Sequence, residues 1–132
     1  MKGFHTNIEK DTLANSKFRK VLYTAKNLQL VLMSLQPGED IGVETHKEND
    51  QFFRFEEGTG KCFVDSTEYT VKDGDALIVP AGAKHNIINT SKTNELRFYT
   101  IYSPPHHLDQ LQKDTKQSAM LEKREFSGET TE

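Results

Sequence analysis

From Phe18 to Ser103 the chain is a succession of short runs rich in Val, Ile, Leu, Phe, Tyr and Thr, each closed by Gly, Pro, Asn or Asp. That punctuation is the mark of short strands joined by tight turns. The expected strands are Phe18 to Thr24, Leu28 to Leu35, Gln51 to Glu57, Gly60 to Asp65, Glu68 to Lys72, Ala76 to Val79, His85 to Asn89 and Leu96 to Tyr102. Pro37-Gly38, Gly58-Thr59-Gly60, Asp73-Gly74 and Pro80-Ala81-Gly82 supply the breaks, with glycine where the chain must reverse. A run of short strands with these turns reads as an all-β sandwich or barrel.

The segment from Gly74 to Asn89 joins a hydrophobic strand, a Pro/Gly turn and a single histidine. Written as G-x5-P-x-G-x2-H-x3-N, it resembles the second motif of the cupin family, matched by Gly74, Pro80, Gly82, His85 and Asn89. Upstream, residues 38 to 58 can be laid without gaps on the family's first motif, G-x5-H-x-H-x3-4-E-x6-G. The match has two departures, Glu44 for the first histidine and Gln51 for the glutamate. The resemblance implies a single jelly-roll β-barrel and a metal site made of Glu44, His46, Gln51 and His85. It implies a divalent ion, Fe, Mn, Zn or Ni, as cofactor, and a homodimer, since small cupins commonly pair.

Strand geometry tests this set without the family. Residues i and i+2 point to one face, so Glu44 and His46 lie together, and Gln51, Phe53 and Phe55 lie together. Two imidazoles and one carboxylate suit non-haem Fe(II), and also Mn(II), Zn(II) or Ni(II). Glu44 keeps a second reading as a solvated carboxylate in the acidic run with Glu39, Asp40, Glu48 and Asp50, and Glu48 shares its parity and is a rival ligand. Phe53, Phe55, Tyr99 and Tyr102 are the expected lining of a substrate pocket. Glu44 is the expected catalytic carboxylate.

At 132 residues the chain has room for one domain, and its net charge of -3 with scattered Lys and Arg excludes a basic nucleic-acid footprint. No apolar segment approaches the roughly 20 residues of a membrane span, and a cytoplasmic location is expected. Cys62 is the single cysteine and has no disulfide partner. The barrel is expected over 1–103, a loop and short helix over 104–123, with helix-forming composition from His107 to Lys123, and a disordered tail over 124–132. The strand Leu28 to Leu35 is apolar on both parities, which reads as a dimer contact or as a strand covered by the N-terminal segment around Phe4 and Ile8.

The expected ligand is a small molecule. Some small cupins resemble the catalytic barrel of phosphomannose isomerases, which points to isomerisation or epimerisation of a sugar or sugar phosphate, with Arg54, Arg97 and Lys84 as candidate phosphate partners. Strand parity turns Arg54 outward. A small iron dioxygenase and a non-catalytic binding module are the alternatives. His106 and His107, after two prolines, read as loop residues that contact substrate only if the loop folds over the barrel mouth.

Overall fold

The computed structural model describes residues 1–132. In chain order its elements are α1 (Ile8–Ala14), β1 (Arg19–Thr24), β2 (Gln29–Leu35), β3 (Glu44–Thr45), β4 (Asp50–Glu57), β5 (Thr59–Val64), β6 (Thr67–Lys72), β7 (Ala76–Val79), β8 (Lys84–Asn89), β9 (Leu96–Ser103), β10 (Gln112–Lys113) and α2 (Lys116–Met120). The strands form a six-stranded sheet in the order β10-β1-β2-β9-β4-β7 and a four-stranded sheet in the order β3-β8-β5-β6. Every pairing is antiparallel. The two sheets face each other across one core, which is the jelly-roll expected from the sequence.

Alternation decides which side chains enter that core. Along β4, Gln51, Phe53 and Phe55 are buried while Phe52 and Arg54 lie on the other face. The register with β9 sets Gln51 opposite Tyr102, Phe53 opposite Thr100 and Phe55 opposite Phe98. The interior is thus graded along its length, polar at the Gln51–Tyr102 end and aromatic at the Phe55–Phe98 end. At the aromatic end Phe55 and Phe98 have ring centroids 5.4 Å apart, and Leu35, Leu96 and Ile87 are fully buried. Burying each such side chain contributes about 1.5–3 kcal/mol. Gly60 is required there, because a Cβ would lie 2.6 Å from the Ile88 carbonyl oxygen and 2.9 Å from Leu96.

All eight strands expected from composition are present, with ends shifted by a residue at most. The C-terminal segment forms the expected loop and short helix: Gln112–Lys113 pairs with β1, and α2 spans Lys116–Met120. The edge of β1 has free backbone groups to satisfy, and this competes with helix formation in a segment with few apolar residues. The N-terminal helix α1 was not foreseen, although Asn7 caps it through Lys10 N–H and Glu9 and Asp11 occupy its first turn. α1, which begins at Ile8, packs against β2, β4 and β9, so the second apolar face of β2 is covered by the N-terminal segment, one of the two readings of that strand.

The last nine residues have no regular structure and fold back on the β1 side of the barrel. Thr131 N–H donates to the Thr24 carbonyl at 2.9 Å, and the Glu132 carboxylate accepts from Tyr23 and from the backbone N–H groups of Lys2 and Gly3. No helix is long and apolar enough to cross a membrane.

Candidate metal centre

Three local rules bring the site together. Glu44 pairs directly with His85 across β3 and β8, and cross-strand partners hold their Cβ atoms about 4.5–5.5 Å apart. His46 lies two residues beyond Glu44, and its carbonyl accepts from Gly82 N–H at 2.9 Å, which ties it to the Pro-Ala-Gly turn. Gly82 has φ +90°, a conformation that favours glycine, so the motif glycine is there to aim the turn. The outcome is a cluster in which one ligand atom each from Glu44, His46 and His85 lies within 4.8 Å of the others.

The hydrogen bonds define the state of each group. His85 is 2% exposed, and its Nδ1 faces the Ala83 carbonyl at 3.1 Å. A carbonyl only accepts, so Nδ1 carries the proton and Nε2 is left with a lone pair. That Nε2 is buried and has no protein partner. Burial pulls the imidazole's pKa below its ordinary value, so it is neutral near pH 7. Burial alone would raise the Glu44 carboxyl, but the His46 hydrogen bond, at 2.9 Å, and the charge of Arg19 hold it below the usual carboxylate range. Glu44 is therefore anionic. An anionic carboxylate, a neutral imidazole with a free lone pair and a second imidazole are the donor types that a borderline divalent cation takes.

Gln51 stands beside this cluster. Its cross-strand neighbour Tyr102 has its ring 5.7 Å from that of His46. Gln51 Nε2 donates to Thr100 Oγ1 at 2.9 Å, while Oε1 is buried without a partner. Two unpartnered buried acceptors, His85 Nε2 and Gln51 Oε1, are costly unless something positive completes them. The residues present thus fit a divalent ion, with Glu44, His46 and His85 as the set that could hold it. Glu48 is exposed, lies at the rim and is not in the cluster.

The expected pocket lining is partly displaced. Tyr102 is interior and Phe53 packs edge-on to His85 at 6.3 Å. Phe53 and Phe55, however, are fully buried core, not cavity wall. Tyr99 faces the opposite side of β9, where it packs on Phe52 at 6.3 Å. The spacing of three between Tyr99 and Tyr102 forbids both from pointing inward.

The walls come instead from the loop after β9, which does fold over the mouth. Two adjoining cavities, about 290 and 650 Å³, share Glu44, His106 and Glu125 as lining. The His106 ring lies 4.2 Å from that of His46, and His107 Nε2 shares a hydrogen bond with Tyr102 Oη at 3.1 Å. Gln29 fixes this loop. Its Oε1 accepts from the N–H groups of His106 and His107, and its Nε2 donates to the His107 carbonyl and to Thr24. A glutamine in an otherwise apolar strand was the available sequence signal for that role. Burial lowers the pKa of both loop histidines, His107 most strongly, and so both are neutral near pH 7.

The candidate phosphate cations are elsewhere. Arg54 pairs with Glu56 at 2.9 Å, without a well-directed hydrogen bond, on the outer face. Arg97 is held by Glu57, Glu95 and the Asn15 carbonyl, and Lys84 is exposed.

Comparison with known proteins agrees with this geometry. The family model described as "Cupin domain" matches residues 31–102. The chain is 44% identical over 104 residues to the uncharacterized protein L612 of Acanthamoeba polyphaga mimivirus, covering 76% of this chain and 65% of that protein. It is 42% identical over 125 residues to the uncharacterized protein YrkC of Bacillus subtilis, covering 90% and 67%. This chain therefore spans about two thirds of the length of these relatives. The crystal structure of BH2720 from Bacillus halodurans superposes with a TM-score of 0.89 at 41% identity, covering 92% of this chain and 96% of that one. With its motifs, its two facing sheets and this match over residues 31–102, the chain belongs to the cupin family.

Proposed function

We propose that the protein is a metal-dependent cupin that moves a proton on a small hydroxy-carbonyl compound, an isomerase or epimerase of a sugar or sugar-derived substrate. The observation that carries the reading is the pairing of the three-residue cluster with His85 Nε2 and Gln51 Oε1, both buried without protein partners. Glu44, His46 and His85 would hold the ion, with Gln51 beside them. A divalent ion so held supplies Lewis acidity toward a carbonyl oxygen.

The chain's own residues supply the rest. Glu44 belongs to the cluster that could hold the ion, which favours a ligand role over the base expected from the sequence. His106 is the better proton carrier. It is neutral, it lines both cavities, and its ring lies against His46. In this scheme a proton leaves the carbon beside the carbonyl for His106 and returns either to the same carbon on its opposite face, an epimerisation, or to the former carbonyl carbon while the hydroxyl proton passes to the former carbonyl oxygen, an isomerisation. Oxidation state is conserved overall.

A second reading, an iron dioxygenase, is favoured by one observation, the two-histidine, one-carboxylate composition of the cluster. Homodimer formation and a cytoplasmic location are part of the proposal. Metal content by mass spectrometry, wild type beside a His46→Ala/His85→Ala double variant, tests the site. About one equivalent in the wild type and none in the variant is expected. Manganese, zinc or nickel, with deuterium incorporation from solvent into a hydroxy-carbonyl substrate, supports the isomerase. Iron with substrate-dependent O2 uptake supports the oxygenase. No metal in either protein after reconstitution would leave a binding module without turnover.

A further inference from the structure

Of the four arginines, three have carboxylate partners: Arg54 with Glu56, Arg97 with Glu57 and Glu95, and Arg124 with Glu122. Arg19 is the exception. It is the one buried arginine, at 8% exposure, and no carboxylate lies within 4.0 Å of its guanidinium. Its side chain makes no hydrogen bond to any protein group, and its Nε is fully enclosed and unpartnered. The guanidinium carbon lies over the Phe18 ring, 5.2 Å from its centroid, a contact that satisfies none of its donors. Glu44, on the same cavity, feels the charge of Arg19 but lies beyond ion-pair distance, so the guanidinium donors are left without a direct anionic partner.

The position is as informative as the lack of a partner. Arg19 lines the cavity of about 290 Å³ together with Glu44, His106 and His107. It therefore shares a chamber with one residue of the metal cluster and with the proton carrier. The volume suits a small molecule. The other acidic groups at this cavity, Glu122 and Glu125, are not competing partners: Glu122 is taken by Arg124 and Lys113, and Glu125 stays beyond ion-pair distance of Arg19.

We propose that Arg19 is the anion-binding residue of this site, and that the ligand is a small molecule with a terminal carboxylate or phosphate which the planar guanidinium grips through two parallel N–H donors. The reacting end of that ligand then points to Glu44 and His106. Five donors in a rigid fork match a carboxylate or phosphate bidentately, which a lysine does not do. This narrows the substrate of the proposed function to an acid or a phosphate ester, and as a statement about substrate it rests on that reading. Anion binding by Arg19 does not depend on the metal.

Isothermal titration calorimetry on the full chain tests this, with malonate, inorganic phosphate and uncharged glycerol as probes. It would be run on metal-loaded and on chelator-stripped protein, for wild type, Arg19→Gln and Arg19→Lys. The expected result is binding of malonate or phosphate but not glycerol. Arg19→Gln should weaken it by about ten- to a hundredfold and Arg19→Lys less, with metal content per chain unchanged. Whichever anion binds more tightly identifies the class. Equal binding by wild type and Arg19→Gln overturns the proposal, as does failure of both anions to bind. A fall in metal content matching the loss of anion affinity also overturns it, since Arg19 would then only support Glu44. If Arg19→Gln does not fold by circular dichroism, Arg19→Lys carries the test. Arg19-dependent binding in stripped protein that never takes up metal would refute the metal-dependent function while leaving this inference standing.

Discussion

The two ends of the barrel interior are built from the same strands and obey opposite rules. At one end Phe55, Phe98, Leu35, Leu96 and Ile87 are almost fully enclosed, and Asn89 meets the stray backbone: its Nδ2 donates to the carbonyls of Leu35, Gln36 and Asn94, and its Oδ1 accepts from Ser91 N–H. At the other end, and in the cavity beside it, Gln51 Oε1, His85 Nε2 and Arg19 Nε are buried with nothing to bond. A buried polar group without a partner costs roughly 1–3 kcal/mol. Among the interior-facing side chains such atoms lie at the mouth, whereas Ser34 Oγ and Asn86 Oδ1, also unpartnered, sit on the other faces of β2 and β8. The difference teaches that the closed end is built for packing and the mouth holds the candidate site.

Variants should separate the two. Phe98→Ala at the closed end is expected to destabilise by about 3–5 kcal/mol, read by urea unfolding, while the surviving folded protein keeps its metal content. A metal loss larger than the loss of folded protein would break the comparison by showing that the two ends are coupled.

Gln29→Leu comes next, at about 2–4 kcal/mol, because it strands the N–H groups of His106 and His107 and the His107 carbonyl. Unlike Phe98→Ala it should also raise hydrogen exchange in the 104–107 loop. An unchanged loop would mean that Gln29 does not hold it.

Gly60→Ala is expected to cost about 1–3 kcal/mol, since its Cβ would meet the Ile88 carbonyl oxygen at 2.6 Å. Neutral behaviour in thermal unfolding would show that the closed end has slack.

The smallest effect is the response to pH, and it belongs to the mouth alone. His85, His106 and His107 have folded pKa values below their ordinary 6.5, so the unfolded chain binds protons that the folded chain does not. Their neutral burial contributes full stability above pH 6.5, and this is lost as pH falls below that value. Metal-free protein should therefore show Tm falling from pH 6.5 downward, with a shallower fall in His107→Gln. Equal slopes in the two proteins would remove His107 from the cause. Cys62 gives the contrasting control: burial pushes its thiol up to about 12, so it should resist alkylation at pH 8 in the folded state.

Much of the barrel was legible because period-two alternation and turn residues are local. The runs that became β1, β2 and β4 to β9 could be placed from composition, and so could the shared face of Glu44 and His46. The sequence also placed His85, since a fixed Pro-Ala-Gly turn delivers the residue three positions after Gly82 to the start of β8. Tyr99 failed for a local reason, its odd spacing from Tyr102.

What the sequence could not contain was which distant groups would be left without partners. Arg19 reads as one more charged residue at the start of a strand, and nothing nearby in the chain distinguishes it from Arg54 or Arg97. Only the folded arrangement shows that Arg54 and Arg97 meet carboxylates, while Arg19 is enclosed beside Phe18 with none. The placement of His106 and His107 over the mouth is likewise tertiary, because it depends on Gln29, a residue 77 positions from His106 and 78 from His107 in the chain. Local pattern thus determined the strands and the shared face of Glu44 and His46. Long-range hydrogen bonding and the distribution of ion pairs, which depend on how the two sheets close on each other, decided the shape and charge of the pocket.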